Sequence, residues 1–581
     1  MLAAAGCHSA GQVVSSCASC PATEWPSGSP GELARHFYSL ACDAQEQGDP
    51  CSPGYFYQAA ISSWPYLSCG DGAGLPPADA WQIYQASVAG LIAEGQRLGQ
   101  FNRNGKLLVN LPGEVVAVPI ACLGLPWEPS DIGKIVVIES HADSKLANYH
   151  SCPGIGVPVV AMREPGNSPH AAERFFTRQM PFAATAVLRP PQRAQITPTV
   201  EWNSPLSLPD HRHDGAHLKR GQSQTPRYEP VPAVLELYDS LEVRTVDVDG
   251  LSIAMARDIS APFDYQLKTT ESTGVLGFLD PGVPEESQGL RFVEPYQPGK
   301  IPIVFIHGLL SDPSTWFDTA NDLREEAWFN EHYQIWGFRY ASGKPFVTSA
   351  MYLRNQLQQA VVTLDPQRSD SALRQMVLVG HSMGGLIAKL QIAESEDRIW
   401  HSFASVPFAS LRASGELRSN LAERCFFAPL PFVRRVILIA TPHGGSSFAT
   451  RGVGRLGASL VQPAEEAEQL HDQLVAANPG VFSPQFERRV PTSIDLLEPE
   501  DPTLQAIRTM RVSPRVCLYS IIGTGRTMLV EGPGDGAVSV ASAVHPGVVS
   551  QRFVDATHTE IQRHPDTQAE IRAILQSHLA E

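Results

Sequence analysis

Apolar positions change their period several times along this chain. In "ELARHFYSLACDA", Leu33, Phe37, Leu40 and Ala41 recur at the spacing of one helical face. "ADAWQIYQASVAGLIAEG" repeats the pattern through Trp81, Tyr84, Val88 and Leu91. With the aromatic "GYFYQAAISSW" between them, these stretches predict a helical unit over 31–105. From about 107 short β-prone runs take over, broken by Pro and Gly: "KLLVNL", "EVVAVPIACL", "KIVVIES", "VPVVAM" and "FAATAVL". They predict a β-rich accessory domain over 106–188. Residues 189–232 are polar and proline-rich and read as a linker. "LEVRTVDVDGLSIAM", within a lead-in segment over 233–295, reads as two strands joined at Asp249-Gly250.

After about 296 the pattern changes again. "IPIVFIHG", "YQIWGFRY", "MVLVGHS", "RVILIATP" and "VCLYSIIG" are continuous apolar runs separated by helical stretches. Strands apolar on both faces belong in a parallel sheet covered by helices on both sides, so the fold class of 296–581 is α/β. Residues 396–432 and 446–510 are long for simple strand connections and predict lids. Their aromatic residues Phe403, Phe408, Phe426, Phe427 and Phe432 suit either an acyl chain or the core of the lid itself.

Composition bounds the alternatives. The 581 residues exceed one ordinary core, so two or more domains are expected. A 43% hydrophobic and 18% charged composition is that of a globular chain. The net charge of −16 argues against nucleic acid or an anionic membrane surface as a charge-driven partner. No apolar run is long enough to span a bilayer. Cysteines crowd the N-terminal part: Cys7, Cys17, Cys20, Cys42, Cys51, Cys69, Cys122 and Cys152 all precede residue 153. Pairs such as Cys42–Cys51 or Cys122–Cys152 are candidates for disulfides, with buried free thiols as the alternative. "HRHDGAH" gathers His211, His213, Asp214 and His217, but a solvated loop offers nothing to fix metal geometry, so no metal is expected there.

The chemistry concentrates in "QMVLVGHSMGGLIAKL". Gly380-His381-Ser382-Met383-Gly384 fits G-x-S-x-G, a weak pattern alone. Here a buried strand precedes it, and Leu386, Ile387 and Leu390 begin an apolar helical face after it. That is the setting of a nucleophile on a strained strand-to-helix turn. "GHSMGG", with "VFIHGLL" upstream, resembles the lipase and esterase branch of the α/β-hydrolase superfamily, over about residues 296–581. The resemblance implies an oxyanion hole from the loop after an early strand, and the N–H groups of Leu309 and Met383 are its expected donors. It also implies the chain order Ser, acid, His. Asp535, between glycines in "GPGDGAVSV", is the expected acid; Asp495 and Asp501 are rivals that fall in the second insertion. His558 in "DATHTE" is the expected base, ahead of His545 and His564. "TPHGG" at 441–445 is expected to line the site or to begin the lid.

Together these residues imply a serine hydrolase acting on carboxylic esters of lipid-like or small acylated substrates, without metal or organic cofactor. A thioesterase, amidase or acyltransferase would use the same triad, and a non-catalytic binding protein is the rival of another class. "MLAAAGC" resembles the end of a bacterial lipoprotein signal peptide, in which the cysteine, here Cys7, becomes lipidated. A complete signal has a basic and then an apolar region before that cysteine, and neither is present. The expectation is a start codon farther upstream, export, and attachment to a membrane at the cell envelope through Cys7. If the match is accidental, the protein is cytoplasmic.

Overall fold

The computed structural model describes residues 28–581 apart from 69–76, 103–104, 112–113, 126, 139–141, 165–170, 177–180, 192–231, 270–287, 447–464 and 529–530. Cys7 and the histidines of "HRHDGAH" lie outside the described residues. No described helix is long and apolar enough to cross a membrane.

Helices α1 (Pro30–Glu46), α2 (Ser52–Ser63) and α3 (Pro77–Arg97) pack on a seven-stranded sheet. Its strands are β1 (Phe101–Asn102), β2 (Lys106–Leu111), β3 (Glu114–Leu123), β4 (Ile132–Val137), β5 (Val157–Arg163), β6 (Pro181–Arg189) and β7 (Val234–Asp239). The spatial order is β1-β2-β3-β7-β6-β5-β4. Helices and sheet therefore share one core, in which Tyr84, Val88 and Leu91 meet Val159, Ala186 and Leu237. This differs from the separate helical and β-rich domains expected from periodicity. β7 lies beyond the expected linker yet pairs in parallel with β3 and antiparallel with β6 at the centre of the sheet. The hairpin at Asp249-Gly250 forms between Thr245–Val248 and Leu251–Ala254, with positive φ of 52° and 85° at its two turn residues.

Neither candidate disulfide forms. Cys42 is a free thiol while Cys51 is disulfide-bonded elsewhere. Cys122 and Cys152 are both free, because Cys122 lies in the large sheet and Cys152 in a separate two-stranded ladder beside Arg257.

The second sheet contains β8 (Gly289–Phe292), β9 (Ile301–Ile306), β10 (Tyr333–Arg339), β11 (Met376–His381), β12 (Val433–Ile439), β13 (Cys517–Gly523) and β14 (Ser550–Val554). Their order is β8-β10-β9-β11-β12-β13-β14, and only β8 runs antiparallel to its neighbour. Alternate residues divide between two cores, as strand geometry requires. Val304, Ile306, Leu378 and Leu438 face α5 (Phe346–Leu364) and α6 (Met383–Ile392). Ile303, Phe305, Val377 and Ile437 face α4 (Phe317–Glu325) and α10 (Pro565–Leu579).

From β9 the chain crosses to β10 on one side and then to β11 on the other. That reversal makes a topological switch point, where the connections after β9 and β11 part and leave a crevice at the strand ends. A cap carries the two insertions: Arg398–Phe403 and α7 (Gly415–Cys425) in the first, α8 (Glu465–Ala477) and α9 (Pro502–Thr509) in the second. Polar contacts join the two large units: Asn148 and His150 both bond the Asp322 carboxylate, and Ser260 bonds Asn321.

Candidate active site

β11 ends at His381, and Ser382 turns the chain directly into α6. Ser382 adopts φ 55° and ψ −124°, a region that costs a non-glycine residue about 1–3 kcal/mol and persists only where its surroundings impose it. Here the Ser382 N–H donates to the Ile439 carbonyl at 2.8 Å, and the Gly385 N–H donates back to the Ser382 carbonyl at 2.9 Å. The turn works only with bare backbone beside it. A Cβ on Gly380 would stand 2.4 Å from the Gly384 oxygen, and one on Gly384 would stand 2.4 Å from the carbonyl oxygens of both Ile306 and His307. The start of α6 is thereby pressed against the end of β9.

The same approach brings the loop after β9 to the serine. Gly308 lies so close that a Cβ there would be 3.1 Å from the Ser382 Cβ. His307 shapes this loop: its ring stacks on Tyr340 with centroids 4.2 Å apart, and Tyr340 Oη donates to the His307 carbonyl at 2.7 Å. Burial pushes the His307 pKa down to about 4, so the ring is neutral near pH 7. Its Nε2 then accepts from the Tyr340 N–H at 3.4 Å, and its Nδ1–H donates to the Gly308 carbonyl at 2.9 Å. Leu310 completes the bend with φ 59°. Among the described residues, neither the Leu309 nor the Met383 N–H has a hydrogen-bond acceptor. Met383 opens α6 directly after the serine, at a helix end whose partial positive charge favours an anion, and Leu309 follows Gly308 in the loop that meets the serine.

His558 and Asp535 arrive from loops at the far side of the sheet. The His558 Nε2 lies 2.9 Å from Ser382 Oγ, and its Nδ1 lies 2.7 Å from Asp535 Oδ2. The other oxygen of Asp535 accepts the N–H groups of Ala537 at 2.9 Å and Val538 at 2.7 Å. Burial alone would raise the pKa of this carboxyl. The hydrogen bond and charge of His558, with the two amides, outweigh burial and hold it below the usual carboxylate range. An ionised Asp535 accepts from Nδ1–H, which leaves Nε2 unprotonated and facing the Ser382 hydroxyl. Asp535 is 2% exposed and Ser382 8%, whereas 19% of the His558 side chain remains open, so the imidazole is the member that reaches solvent.

Two supports of this arrangement were not assigned from sequence. His381 donates from Nε2 to the His558 carbonyl at 2.9 Å, and the two rings lie 4.8 Å apart. Burial, then the charge of His558, pushes the His381 pKa down to about 3, so the ring beside His558 stays uncharged. The second support is the "TPHGG" loop. Gly444 N–H donates to the Ser542 carbonyl, Ser542 Oγ donates to the Gly445 carbonyl at 2.6 Å, and Ser446 Oγ donates to the Ala537 carbonyl at 2.6 Å. The loop therefore braces the turn that carries Asp535. These contacts join residues 91 to 98 positions apart, so no local pattern announces them.

The rival residues serve elsewhere. Asp501 caps α9 through the Thr503 and Leu504 amides, and Asp495 accepts the Thr492 amide. His564 caps α10, and His545 is buried against His443. Among the described residues no cluster of three or more His, Cys, Asp or Glu is arranged to hold a metal ion.

No protein-family model and no curated relative matches the chain. Several solved bacterial lipases are similar in structure. Bacillus licheniformis lipase BlEst2 in its propeptide form is 19% identical with a TM-score of 0.30, over 48% of this chain and 51% of that one. The chain thus spans about half the length of that protein. The mature form of the same lipase is 18% identical with a TM-score of 0.29, over 48% of this chain and 93% of its own. Staphylococcus hyicus lipase is 13% identical with a TM-score of 0.31, over 49% of this chain and 97% of its own.

Proposed function

We propose that this protein is a serine hydrolase of the α/β-hydrolase type that cleaves carboxylic esters through an acyl-enzyme. The observation that carries the reading is the relay from Ser382 Oγ to His558 to Asp535, at 2.9 and 2.7 Å, ending on a strained serine at the switch point of a parallel sheet. His558 takes the Ser382 proton as Oγ attacks the acyl carbonyl. Asp535 keeps the imidazole in the required tautomer and stabilises its cation. The leaving alcohol receives that proton, and water activated by the same His558 then releases the acid. The N–H groups of Leu309 and Met383 are the donors for the oxyanion, each worth about 3–4 kcal/mol by analogy with single-donor deletions in other enzymes.

Phe403 stacks on Phe486 at 4.8 Å, and Phe408 meets Trp400 and Phe426 at 5.0 Å each, so these rings build the cap's own core. A series of p-nitrophenyl esters of increasing acyl length, set beside matched thioesters and anilides, tests the reading. An ester preference with a pre-steady-state burst is expected. Turnover confined to thioesters or anilides would move the assignment to another acyl hydrolase, and no turnover of any member would remove it.

A further inference from the structure

A cavity of about 200 Å³ lies inside the cap, between the two insertions and the first turn of α5. Its walls include Ile399, Phe403, Leu421, Leu474, Phe486 and Leu496. Neither Ser382 nor His558 lines it, nor does Leu309 or Met383, so it is separate from the reacting centre. An engineered apolar cavity of about 150 Å³ in another protein stays dry and takes up benzene. The cap cavity accordingly has room for a ring or a short alkyl chain. Leu470, 46% exposed, stands at its rim and marks the way in.

One lining residue does not suit a purely hydrocarbon guest. Arg424, in the last turn of α7, is partly buried, and its Nε is sealed from solvent. Among the described residues its guanidinium has no hydrogen-bond or ion-pair partner, and the sealed Nε–H is a donor that ordinarily has one. The two other ionisable oxygen and nitrogen groups of the lining are already engaged. Asp501 Oδ1 accepts two amides of α9, and His471 Nε2 donates to the Phe486 carbonyl at 2.7 Å. Burial pushes the Cys425 thiol up to about 12, which leaves it a small apolar piece of wall. An apolar chamber with a single uncommitted cation matches an amphipathic anion. Carboxylate is the anion whose two oxygens best fit the guanidinium fork.

We propose that the cap cavity binds a short-chain apolar carboxylate, with its alkyl or aryl group among Phe403, Leu421 and Leu474 and its carboxylate on Arg424. Such an acid is also the product class of ester hydrolysis. That link rests on the hydrolase reading, whereas the binding itself does not.

Calorimetric titration of the full chain carrying Ser382→Ala with sodium octanoate and with 1-octanol tests the site without turnover. Octanoate is expected to bind one to one and 1-octanol about tenfold or more weakly, the worth of one charge-assisted hydrogen bond. Arg424→Met should reduce octanoate binding to the level of the alcohol, and Leu417→Trp, which fills the chamber from α7, should abolish binding of both. If Arg424→Met does not fold, Leu417→Trp and the acid–alcohol comparison decide. Equal affinity for acid and alcohol, undiminished binding in Leu417→Trp, or no heat at millimolar octanoate would each overturn the proposal. Octanoate binding in a protein that hydrolyses no ester would leave this site standing and remove only the hydrolase reading.

Discussion

Replacing Asp535 by Asn tests the relay with almost no change of shape. In the native site Oδ1 accepts two amides, at 2.9 and 2.7 Å, while Oδ2 accepts His558 Nδ1–H at 2.7 Å. An asparagine has one acceptor and one donor for these two sides. If its oxygen stays with the amides of Ala537 and Val538, its NH2 faces His558 and forces Nδ1 to become the acceptor. The proton then sits on Nε2, which donates to Ser382 Oγ and cannot remove its proton. If the side chain flips, the tautomer is rescued, but two buried N–H groups lose their acceptor at about 1–3 kcal/mol each. The unflipped form is therefore favoured by about 2–6 kcal/mol, and its cost falls on catalysis. Such a wrong-tautomer variant loses about 10⁴ in kcat in another triad enzyme, or roughly 5 kcal/mol of transition-state stabilisation. Steady-state hydrolysis of a p-nitrophenyl ester at pH 7.5, with thermal melting as the control for folding, reads both quantities. An Asp535→Asn protein that melts like wild type and keeps kcat within tenfold would refute the assigned role of Asp535.

Other consequences follow from single contacts. Gly384→Ala places a methyl against the Ile306 and His307 carbonyls and should cost about 1–3 kcal/mol as well as activity; Gly337→Ala, with nothing near its Cβ, should melt within a degree or two of wild type. Burial pushes the Asp239 carboxyl up to about 7. The folded protein thus keeps a proton that the unfolded chain releases between about pH 4 and 7, and stability falls as pH rises through that window. Asp239→Asn should therefore gain more over wild type at pH 8 than at pH 4.5, and equal gains in thermal melts at both would contradict this. Mass spectrometry of the mature N-terminus should find an acylated Cys7, and an unmodified Met1 would end the lipoprotein reading.

What could be read from sequence tracks the range of the interactions involved. The strands "IPIVFI", "MVLVGH" and "CLYSIIG" announce themselves because both of their faces are buried, and β9, β11 and β13 form on them. Ser382 is legible because a strand, a serine between glycines and a helix stand in immediate succession. Asp535 and His558 are legible only through the chain order that a family resemblance implies; nothing local to "GDGAV" or "DATH" states that they meet. The merging of the helical and β-rich segments was not readable, because it depends on β7 entering the sheet between β3 and β6. Periodicity describes the faces of a strand but not its neighbours. The brace from Ser446 and Ser542 to the acid loop was hidden for the same reason, and so was the uncommitted guanidinium of Arg424, which has meaning only beside the apolar walls of the second insertion.

Fluorophosphonate labelling followed by peptide mapping reads the activation of Ser382 itself, since the probe reacts with a serine only where a base activates it. A covalent adduct is expected on Ser382 in the folded wild-type protein, with no adduct in Ser382→Ala and loss of labelling when the wild type is unfolded. Equal labelling of wild type and Ser382→Ala, or none in either, would contradict that activation.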